Sequence, residues 1–505
     1  MMRAYLILAA MTNIFCACSS VAQETRDDNP SEQVSYILSR VPLQQEMLVL
    51  SRTDGETRLS IRKSEPRSSL PRLRLNADLR DNVAIVPFGH SGRCLAQKSG
   101  DDIMVTCAEG ADVAGVSLQF DGALPYGAAA RGFIAAQGPS EFKLQIVNSG
   151  EDAIAPVAAS GRLGLPLPYN TGAPFQLVIL SPATGGELRL TDLRLLPIPE
   201  PRPLNASAWA WQPQAWRESG DLLLRSAAER GLTRLHISLV IAGGKVLHTD
   251  ELASFIRTAS RLNIAIEAVE GDPRMALDEG LSHGLERARA IATYQQSASA
   301  ETRLKGVQYD IEPYVLLNWG SVQSDYAGWS AAVNALAKAV GNPVDLVLPF
   351  WIANDDVGLA FLRDVDPSIN GITVMSYRSD GPLAAALAQP LLGWGVTAGK
   401  PVRIALETGP VGSESEETFV PAAKGQLALR ERDGLITATY YTEPTNVPGA
   451  RMYASRGTVL TRSDRISFLG DEQRMVEAAH DVARTASAWD SFAGIGFHGL
   501  TWPER

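Results

Sequence analysis

Residues 205–505 alternate between short apolar segments and longer amphipathic segments. In the amphipathic segments apolar residues recur at spacings of three and four, which predicts helices that bury Leu252, Phe255, Ile256, Ala259 and Leu262 or Tyr326, Trp329, Val333, Leu336 and Val340. The apolar segments predict the strands Ala208–Trp211, Arg234–Ile241, Ile264–Val269, Val307–Glu312, Val344–Trp351, Ile372–Tyr377, Val402–Glu407 and Gly494–Leu500. These strand–helix units predict an α/β fold, a (β/α)8 TIM barrel over residues 205–505.

The chain before the barrel has a different pattern, in which polar and apolar residues alternate over short runs. Phe142–Val147, Phe175–Leu180 and Leu188–Leu190 alternate in this way between turn residues, which predicts an all-β sandwich domain over residues 33–198. Pro197–Pro203 is Pro-rich and predicts a semi-rigid linker. All 9 tryptophans follow residue 204, so the first domain lacks the ring that most often forms a flat sugar-binding surface. Two roles stay open for this domain: sugar binding, and a spacer or protein contact.

A long segment interrupts the barrel pattern after its seventh strand. Residues 408–470 exceed an ordinary loop, and Thr437–Tyr441 within them has the composition of a strand. We therefore expect a small inserted β element over the barrel mouth.

The first residues resemble a secretory signal peptide. Arg3 precedes the apolar run Tyr5–Met11, and Ser20–Ala22 supplies small residues for cleavage after residue 22. The prediction is a periplasmic or secreted protein, with a lipid anchor at Cys18 as the alternative. No later run approaches the roughly 20 apolar residues of a membrane span, so we expect no integral membrane segment after the signal peptide.

The cysteines support export. Two of the 4 lie in the leader, which leaves Cys94 and Cys107 in the mature chain. A turn signal at Ser99–Asp102 separates them, so we expect a disulfide that joins two strands of a hairpin. Two buried thiols are the alternative.

Composition and net charge limit the classes of molecule that the protein is expected to bind. The chain is 45% apolar and 20% charged, which indicates a globular protein. Its net charge is −10, and loss of Arg3 with the leader makes it −11. This charge disfavours nucleic acid and anionic membranes and favours a neutral or cationic substrate.

Two carboxylates end the predicted fourth strand. Asp310 and Glu312 are two residues apart, so their side chains share one face, and Pro313 helps to end the strand. Barrel active sites lie at the carboxyl ends of the strands. Two adjacent carboxylates oppose each other's ionisation, which keeps a proton available near neutral pH for general acid catalysis.

Lys305–Glu312 resembles the strand-four signature D-G-x-D-x-D-x-E of glycoside hydrolase family 18, the chitinase-like enzymes. Gly306, Asp310 and Glu312 match it, whereas Lys305 and Gln308 replace its first two acids. Met375-Ser376-Tyr377 is similar to the M-x-Y-D of that family, with Arg378 in place of Asp. The resemblance implies that Glu312 is the general acid, that Asp310 orients the N-acetyl group of the substrate as nucleophile, and that Tyr377 supports the developing charge. Gln308 is expected to hydrogen-bond Asp310.

Further candidates surround this pair. Trp211, Trp351 and Trp502 end strands one, five and eight and Trp319 follows strand four, so these rings are candidates for stacking on sugars, together with Met375 and Gln308 as further contacts. Glu407 ends strand seven, where a clan A glycosidase has its carboxylate nucleophile; a contact to a sugar hydroxyl is the other reading. Glu267, Glu270 and Asp272 lack diagnostic metal-ligand spacing, so neither a metal nor a cofactor is expected.

Together these patterns predict an exported glycoside hydrolase that cleaves a polysaccharide by retaining, substrate-assisted acid catalysis. Two alternatives stay open. One is a clan A-like retaining glycosidase that uses Glu312 and Glu407. The other is a non-catalytic protein that binds carbohydrate or assembles an envelope polysaccharide.

Overall fold

A computed structural model of the protein describes part of the chain. The described residues are 34–38, 41–42, 46–53, 56–63, 78–81, 83–123, 130–138, 141–148, 151–152, 157–159, 161–166, 174–197, 203–316, 324–354, 356–432 and 435–503. The predicted signal peptide, Cys18 and Trp319 lie outside them. None of the helices within these ranges combines the length and the apolarity needed to cross a bilayer.

The chain divides into two compact units, and the first joins two distant segments. Residues 1–63 and 411–462 form one unit, and residues 64–410 and 463–505 form the other. The first unit begins with three strands: β1 Val34–Leu38, β2 Glu46–Thr53 and β3 Glu56–Lys63. β2 and β3 are antiparallel neighbours; Leu48, Leu50 and Leu59 lie in one apolar core, and Val49 is buried as well.

Two antiparallel sheets follow. Their strands are β4 Val83–Phe88, β5 Cys94–Ser99, β6 Asp102–Cys107, β7 Gly115–Ala123, β8 Ala130–Gln137, β9 Lys143–Asn148, β10 Glu151–Asp152, β11 Val157–Ala158, β12 Gly161–Pro166, β13 Pro174–Leu180 and β14 Gly186–Pro197. One sheet has the order β10-β9-β13-β7-β4, with β11 also on β9, and the other has the order β12-β8-β14-β6-β5. Alternate residues such as Ile103, Val105, Val116 and Leu118 are buried in one apolar core.

The predicted disulfide is confirmed. Cys94 and Cys107 are bonded and lie opposite each other at the open end of the β5–β6 hairpin, 13 residues apart in sequence. Lys98 pairs with Ile103 and Ser99 with Asp102, so the predicted turn lies at the closed end. The bond therefore fixes the register of this hairpin.

Replacing Cys94 and Cys107 together with Ser should lower the free energy of unfolding by about 2–3 kcal/mol, because the bond restricts a short loop in the unfolded chain. Urea unfolding followed by circular dichroism measures this change. The reduced wild-type protein is the matched control and should lose a similar amount. Equal stability of the oxidised wild type and the double variant would show that the bond contributes nothing.

The barrel begins at β15 Ser207–Ala210 and continues through β16 Arg234–Ile237, β19 Ala265–Glu270, β20 Val307–Tyr309, β21 Val344–Pro349, β22 Ile369–Met375 and β23 Val402–Glu407. A two-stranded element, β17 Ile241–Ala242 and β18 Lys245–Val246, follows β16. The second predicted strand therefore ends earlier than expected, at Ile237. The ladder of β20 ends at Tyr309, which places the two carboxylates of the motif just beyond the strand.

Helices connect these strands: α1 Pro213–Arg217, α2 Gly220–Glu229, α3 Thr249–Arg261, α4 Asp278–Ser297, α5 Ser324–Val340, α6 Asp356–Val365, α7 Gly381–Leu387 and α8 Gln389–Ala398. α3 and α5 are the two helices that the spacing of apolar residues predicted. Leu252, Phe255, Ile256 and Ala259 are the buried face of α3. Polar residues cover its other face, so burial against the strands stabilises the helix in place.

The insertion after the seventh barrel strand forms strands, as predicted from Thr437–Tyr441. They are β24 Glu414–Ala422, β25 Gly425–Arg432, β26 Leu435–Thr445 and β27 Arg451–Thr461. They join the first three strands in one sheet, with the order β1-β26-β25-β27-β24-β2-β3. The predicted first domain over residues 33–198 is therefore wrong in its boundary, because residues 34–63 pair with the insertion and not with the strands that follow them.

The last elements close the barrel: α9 Ser463–Ile466, α10 Glu472–Ala486 and β28 Phe492–His498. β28 pairs in parallel with both β23 and β15. Among the described residues, eight strands thus close a barrel in sequence order, β15-β16-β19-β20-β21-β22-β23-β28. All eight predicted strands are present. We call the end at which their carboxyl termini lie the mouth.

Candidate active site

The mouth contains the two carboxylates that the sequence singled out, Asp310 and Glu312, called here the carboxyl pair. The Asp310 N–H donates to the carbonyl of Glu270 at 2.8 Å, which continues the β20 alignment by one residue. A Cβ at Gly271 would lie 2.3 Å from the Asp310 carbonyl, so the neighbouring strand approaches this backbone closely. Pro313–Val315 then turns the chain in a short 3-10 helix. Both carboxylate side chains remain partly exposed.

Burial is the main influence on the acidity of the carboxyl pair. It raises the pKa of Asp310 well above its ordinary value, and the charge of Glu312 raises it further. Burial also raises the pKa of Glu312, although the hydroxyl of Tyr314, which donates to its Oε2 at 3.0 Å, opposes the rise. The interaction between the two side chains raises the pKa of Asp310 and lowers that of Glu312, so the pair retains a proton at a pH where a solvated carboxyl has lost it.

Gln308 lies below the carboxyl pair and is fully buried, with 0% exposure. Its Oε1 accepts from Trp209 Nε1 at 2.7 Å, and its Nε2 donates to Thr373 Oγ1 at 3.1 Å. The prediction that Gln308 contacts the substrate is therefore wrong, and its amide bonds these two residues in place of Asp310. Asp310 Oδ1 is buried and has no hydrogen-bond partner within the described residues.

Glu407 is held by hydrogen bonds within the protein. It is 4% exposed, its Oε2 is 2.5 Å from His498 Nδ1, and its Oε1 accepts from the Gly409 N–H at 2.5 Å. Both carboxylate oxygens are thus engaged within the protein. Glu407 therefore holds His498, and the sugar contact and the nucleophile stay predictions for it.

An apolar cluster lies inside the barrel beside the carboxyl pair. It consists of Trp209, Val269, Val347, Met375 and Ala405, and the partly buried rings of Trp211, Tyr314 and Tyr377 pack against it. Tyr377 also stacks on His498 with ring centroids 6.0 Å apart. These partly exposed aromatic rings are the side chains of the site that are available to a sugar ring.

The other two predicted aromatic contacts, Trp351 and Trp502, pack against neighbouring groups. Trp351 is 8% exposed and packs edge-on against Tyr314, with centroids 5.0 Å apart. Trp502 donates its indole N–H to the carbonyl of Trp209 at 2.9 Å, and the Arg230 guanidinium lies over its ring. Trp351 and Met375, each 8% exposed, offer little surface to a sugar, whereas the stacking role of the partly exposed Trp502 stays a prediction.

The acidic residues after the third strand all have partners. Glu267 pairs with Arg234, Glu270 with Arg287, and Asp272 with Arg274. In the part of the chain that the structure describes, no three His, Cys, Asp or Glu side chains are grouped so that they would hold a metal ion.

Sequence reasoning missed Tyr314, Trp209 and Thr373. Tyr314 follows Glu312 by two residues, so the strand-end motif was itself a signal to examine it. Trp209 and Thr373 face the barrel interior from other strands. Only the closure of the barrel brings them to Gln308.

Comparisons with known proteins give structural neighbours alone. No family model and no curated protein matches the chain. The structure of the spore cortex-lytic enzyme SleL from Bacillus cereus is similar at 10% identity and a TM-score of 0.32, over 61% of this chain and 73% of that chain. A chitinase from Chromobacterium violaceum is similar at 14% identity and a TM-score of 0.32, over 58% and 93%.

A third similar structure is a glycoside hydrolase family 18 N-acetylglucosaminidase from Paenibacillus barengoltzii, at 13% identity and a TM-score of 0.30, over 58% of this chain and 94% of that chain. The fold neighbours thus include a family 18 enzyme.

Proposed function

We propose that the protein is a glycoside hydrolase that cleaves an N-acetylated polysaccharide with retention of configuration. The observation that carries the proposal is the carboxyl pair, which lies partly exposed at the barrel mouth and retains a proton because burial raises the pKa of both groups. Glycosidic cleavage requires such a proton at the leaving oxygen and an anion or an equivalent group at the anomeric carbon.

In the proposed reaction Glu312 protonates the leaving oxygen. Tyr314 fixes the Glu312 carboxyl through its hydroxyl, so the acid is oriented before substrate binds. Asp310 accepts the N–H of the substrate acetamide, and the acetamide oxygen attacks the anomeric carbon as the glycosidic bond breaks. Water then opens the cyclic intermediate, and the Glu312 carboxylate takes the proton from that water.

Tyr377, just after β22 at the same mouth, is proposed to support the acetamide group of the substrate. Its ring packs against the same apolar cluster as Tyr314, and its stacking on His498 limits its orientation. The hydroxyl of a tyrosine held in this way is suited to donate to the acetamide oxygen as charge develops there.

The occupied oxygens of Glu407 favour substrate assistance over a clan A mechanism. A nucleophilic carboxylate needs one free oxygen directed at the anomeric carbon, and Glu407 uses one for His498 and one for Gly409.

We further propose that the protein is exported to the periplasm or secreted. The apolar leader and the Cys94–Cys107 disulfide both support an oxidising compartment. A polysaccharide substrate is consistent with this location, because polymers of the envelope and the surroundings are found there.

The test is a hydrolysis screen of the mature protein against N-acetylated glycans and matched glycans without the acetyl group. We expect cleavage of the N-acetylated set alone, with the retained anomer as the first product seen by NMR. Binding without hydrolysis across the whole panel would contradict the proposal and favour a non-catalytic carbohydrate-binding protein.

A second prediction separates the two retaining mechanisms. A thiazoline, which mimics the cyclised acetamide intermediate, should inhibit hydrolysis competitively. A 2-fluoro sugar with a good leaving group should leave the protein mass unchanged, because no enzyme carboxylate attacks. A covalent adduct mapped by peptide mass spectrometry to Glu407 would establish the clan A mechanism instead.

A further inference from the structure

A chain of three hydrogen-bonded side chains crosses the mouth beside the carboxyl pair. Glu407 Oε2 lies 2.5 Å from His498 Nδ1, and Trp211 Nε1 donates to His498 Nε2 at 3.2 Å. An indole N–H is a donor only, so Nε2 must present its lone pair and Nδ1 must carry the proton that Glu407 accepts. His498 can therefore hold Trp211 only while its imidazole is neutral.

The backbone holds the Glu407 end of this chain rigidly. Gly499 has a φ of +71°, and a Cβ there would lie 2.3 Å from Glu407 Oε1 and 2.3 Å from the Gly409 nitrogen. Glycine is therefore required directly after His498, because any side chain would displace the carboxylate. Glu407 and His498 also lie opposite each other in the β23–β28 ladder.

His498 is surrounded by acidic groups and aromatic rings. Glu407 faces it from β23, Asp310 and Glu312 act on it from the end of β20, and Tyr377 stacks on it from the end of β22. Burial lowers the pKa of His498, but the Glu407 hydrogen bond, the Glu407 charge and the carboxyl pair outweigh burial and raise it above its ordinary value. The imidazole is thus protonated more readily than a solvated histidine.

We propose that His498 is a positioning residue for Trp211: the neutral imidazole fixes the indole at the mouth as the stacking surface for a sugar ring, and the protonated imidazole releases it. Protonation puts a hydrogen on Nε2, so two donors would face each other across 3.2 Å and the contact is lost. Only the identity of the ligand as a sugar rests on the proposed function.

The pH dependence has a definite sign. As pH falls through the pKa of His498, Trp211 is released and KM should rise by about 3–10-fold, the loss expected for one hydrogen bond that orders a contact ring. As pH rises through the pKa of the carboxyl pair, the transferable proton is lost and kcat should fall. KM and kcat therefore respond to different groups at opposite ends of the pH range.

The decisive experiment needs no substrate. Indole N–H and histidine ring resonances of the 15N-labelled wild-type protein are followed by NMR over a pH titration, with Trp211→Phe used to assign the indole. We expect the Trp211 N–H resonance to move with the same midpoint as the His498 ring. A Trp211 resonance that does not move, or that moves with another midpoint, overturns the proposal.

Two variants sharpen this result. His498→Gln retains a donor for Glu407 and an acceptor for Trp211 that does not titrate, so the indole resonance should become independent of pH while the fold is kept. Glu407→Gln removes the neighbouring negative charge, so the shared midpoint should move to lower pH. A midpoint that stays in place in Glu407→Gln would contradict the assigned chain.

Measurements of KM separate this inference from the proposed function. His498→Gln should show a KM that is flat in acid, whereas His498→Leu should show a raised KM at every pH with a smaller effect on kcat. If the indole follows His498 and no glycan is bound or cleaved, the proposed function fails and the positioning role stands. If glycans are cleaved and the indole ignores His498, the positioning role fails alone.

Discussion

Replacing Glu312 with Gln should lower turnover by about 10²–10⁴-fold, the usual contribution of a general acid. The amide retains the shape of the side chain and still accepts from Tyr314, but it has no proton to transfer at neutral pH. Substrate affinity, measured by calorimetry, should change little because the contact surface is preserved. Initial rates on an N-acetylated oligosaccharide measure the loss.

The matched control for this variant is Glu218→Gln, which makes the same chemical change at an exposed residue after α1. It should retain wild-type turnover. A leaving group that needs no protonation offers a second check, since it should restore much of the rate of Glu312→Gln. Equal turnover of Glu312→Gln and wild type would remove Glu312 from the catalytic role.

Replacing Asp310 with Asn should reduce turnover and increase stability together. Turnover should fall on the order of 10²–10³-fold, the range seen when one group that stabilises transition-state charge is removed. Stability should rise near neutral pH, because burial and the Glu312 charge oppose ionisation of Asp310 in the folded state and raise its pKa. The asparagine carries no charge that must be buried.

The sign of the stability effect follows from linkage. An unfolded Asp ionises near pH ~3.9, whereas the folded Asp310 ionises at a higher pH, so wild-type stability falls as pH rises through the folded pKa. Asp310→Asn should therefore melt a few degrees above wild type at pH ~7 and together with it at pH ~3.5. Thermal melts at both values test this, and a variant less stable at neutral pH would show that the Asp310 charge is favourable in the fold.

The barrel was predictable from the sequence because its signal is local. A parallel strand that is covered on both faces has an almost continuous run of apolar residues in its sequence. In each connecting helix, apolar residues recur every three or four positions. Val402–Glu407 was predicted with its observed bounds; Leu252, Phe255, Ile256 and Ala259 of α3 are buried as predicted, whereas Leu262 lies beyond the helix and is 43% exposed. The carboxyl pair was also predictable, because side chains two residues apart in an extended chain, such as Asp310 and Glu312, point to the same face.

The pairing of the first strands was not predictable. The apolar run Leu48–Leu50 indicates that β2 is buried, but it does not indicate which strand lies beside it. β2 pairs with β24, and Arg52 of β2 contacts Glu417 of β24 across 365 residues of sequence at 3.3 Å. Such a pairing depends on long-range burial that no local pattern contains.

The roles of the residues around the carboxyl pair were likewise decided by the tertiary structure. The sequence by itself determined the strands, the acidic motif and the two cysteines. Barrel closure decided that Gln308 bonds Trp209 and Thr373 and that Glu407 meets His498. The physical reason is that burial and strand direction follow from neighbouring residues, whereas the hydrogen-bond partner of a buried polar group is whichever distant strand the closed barrel places beside it.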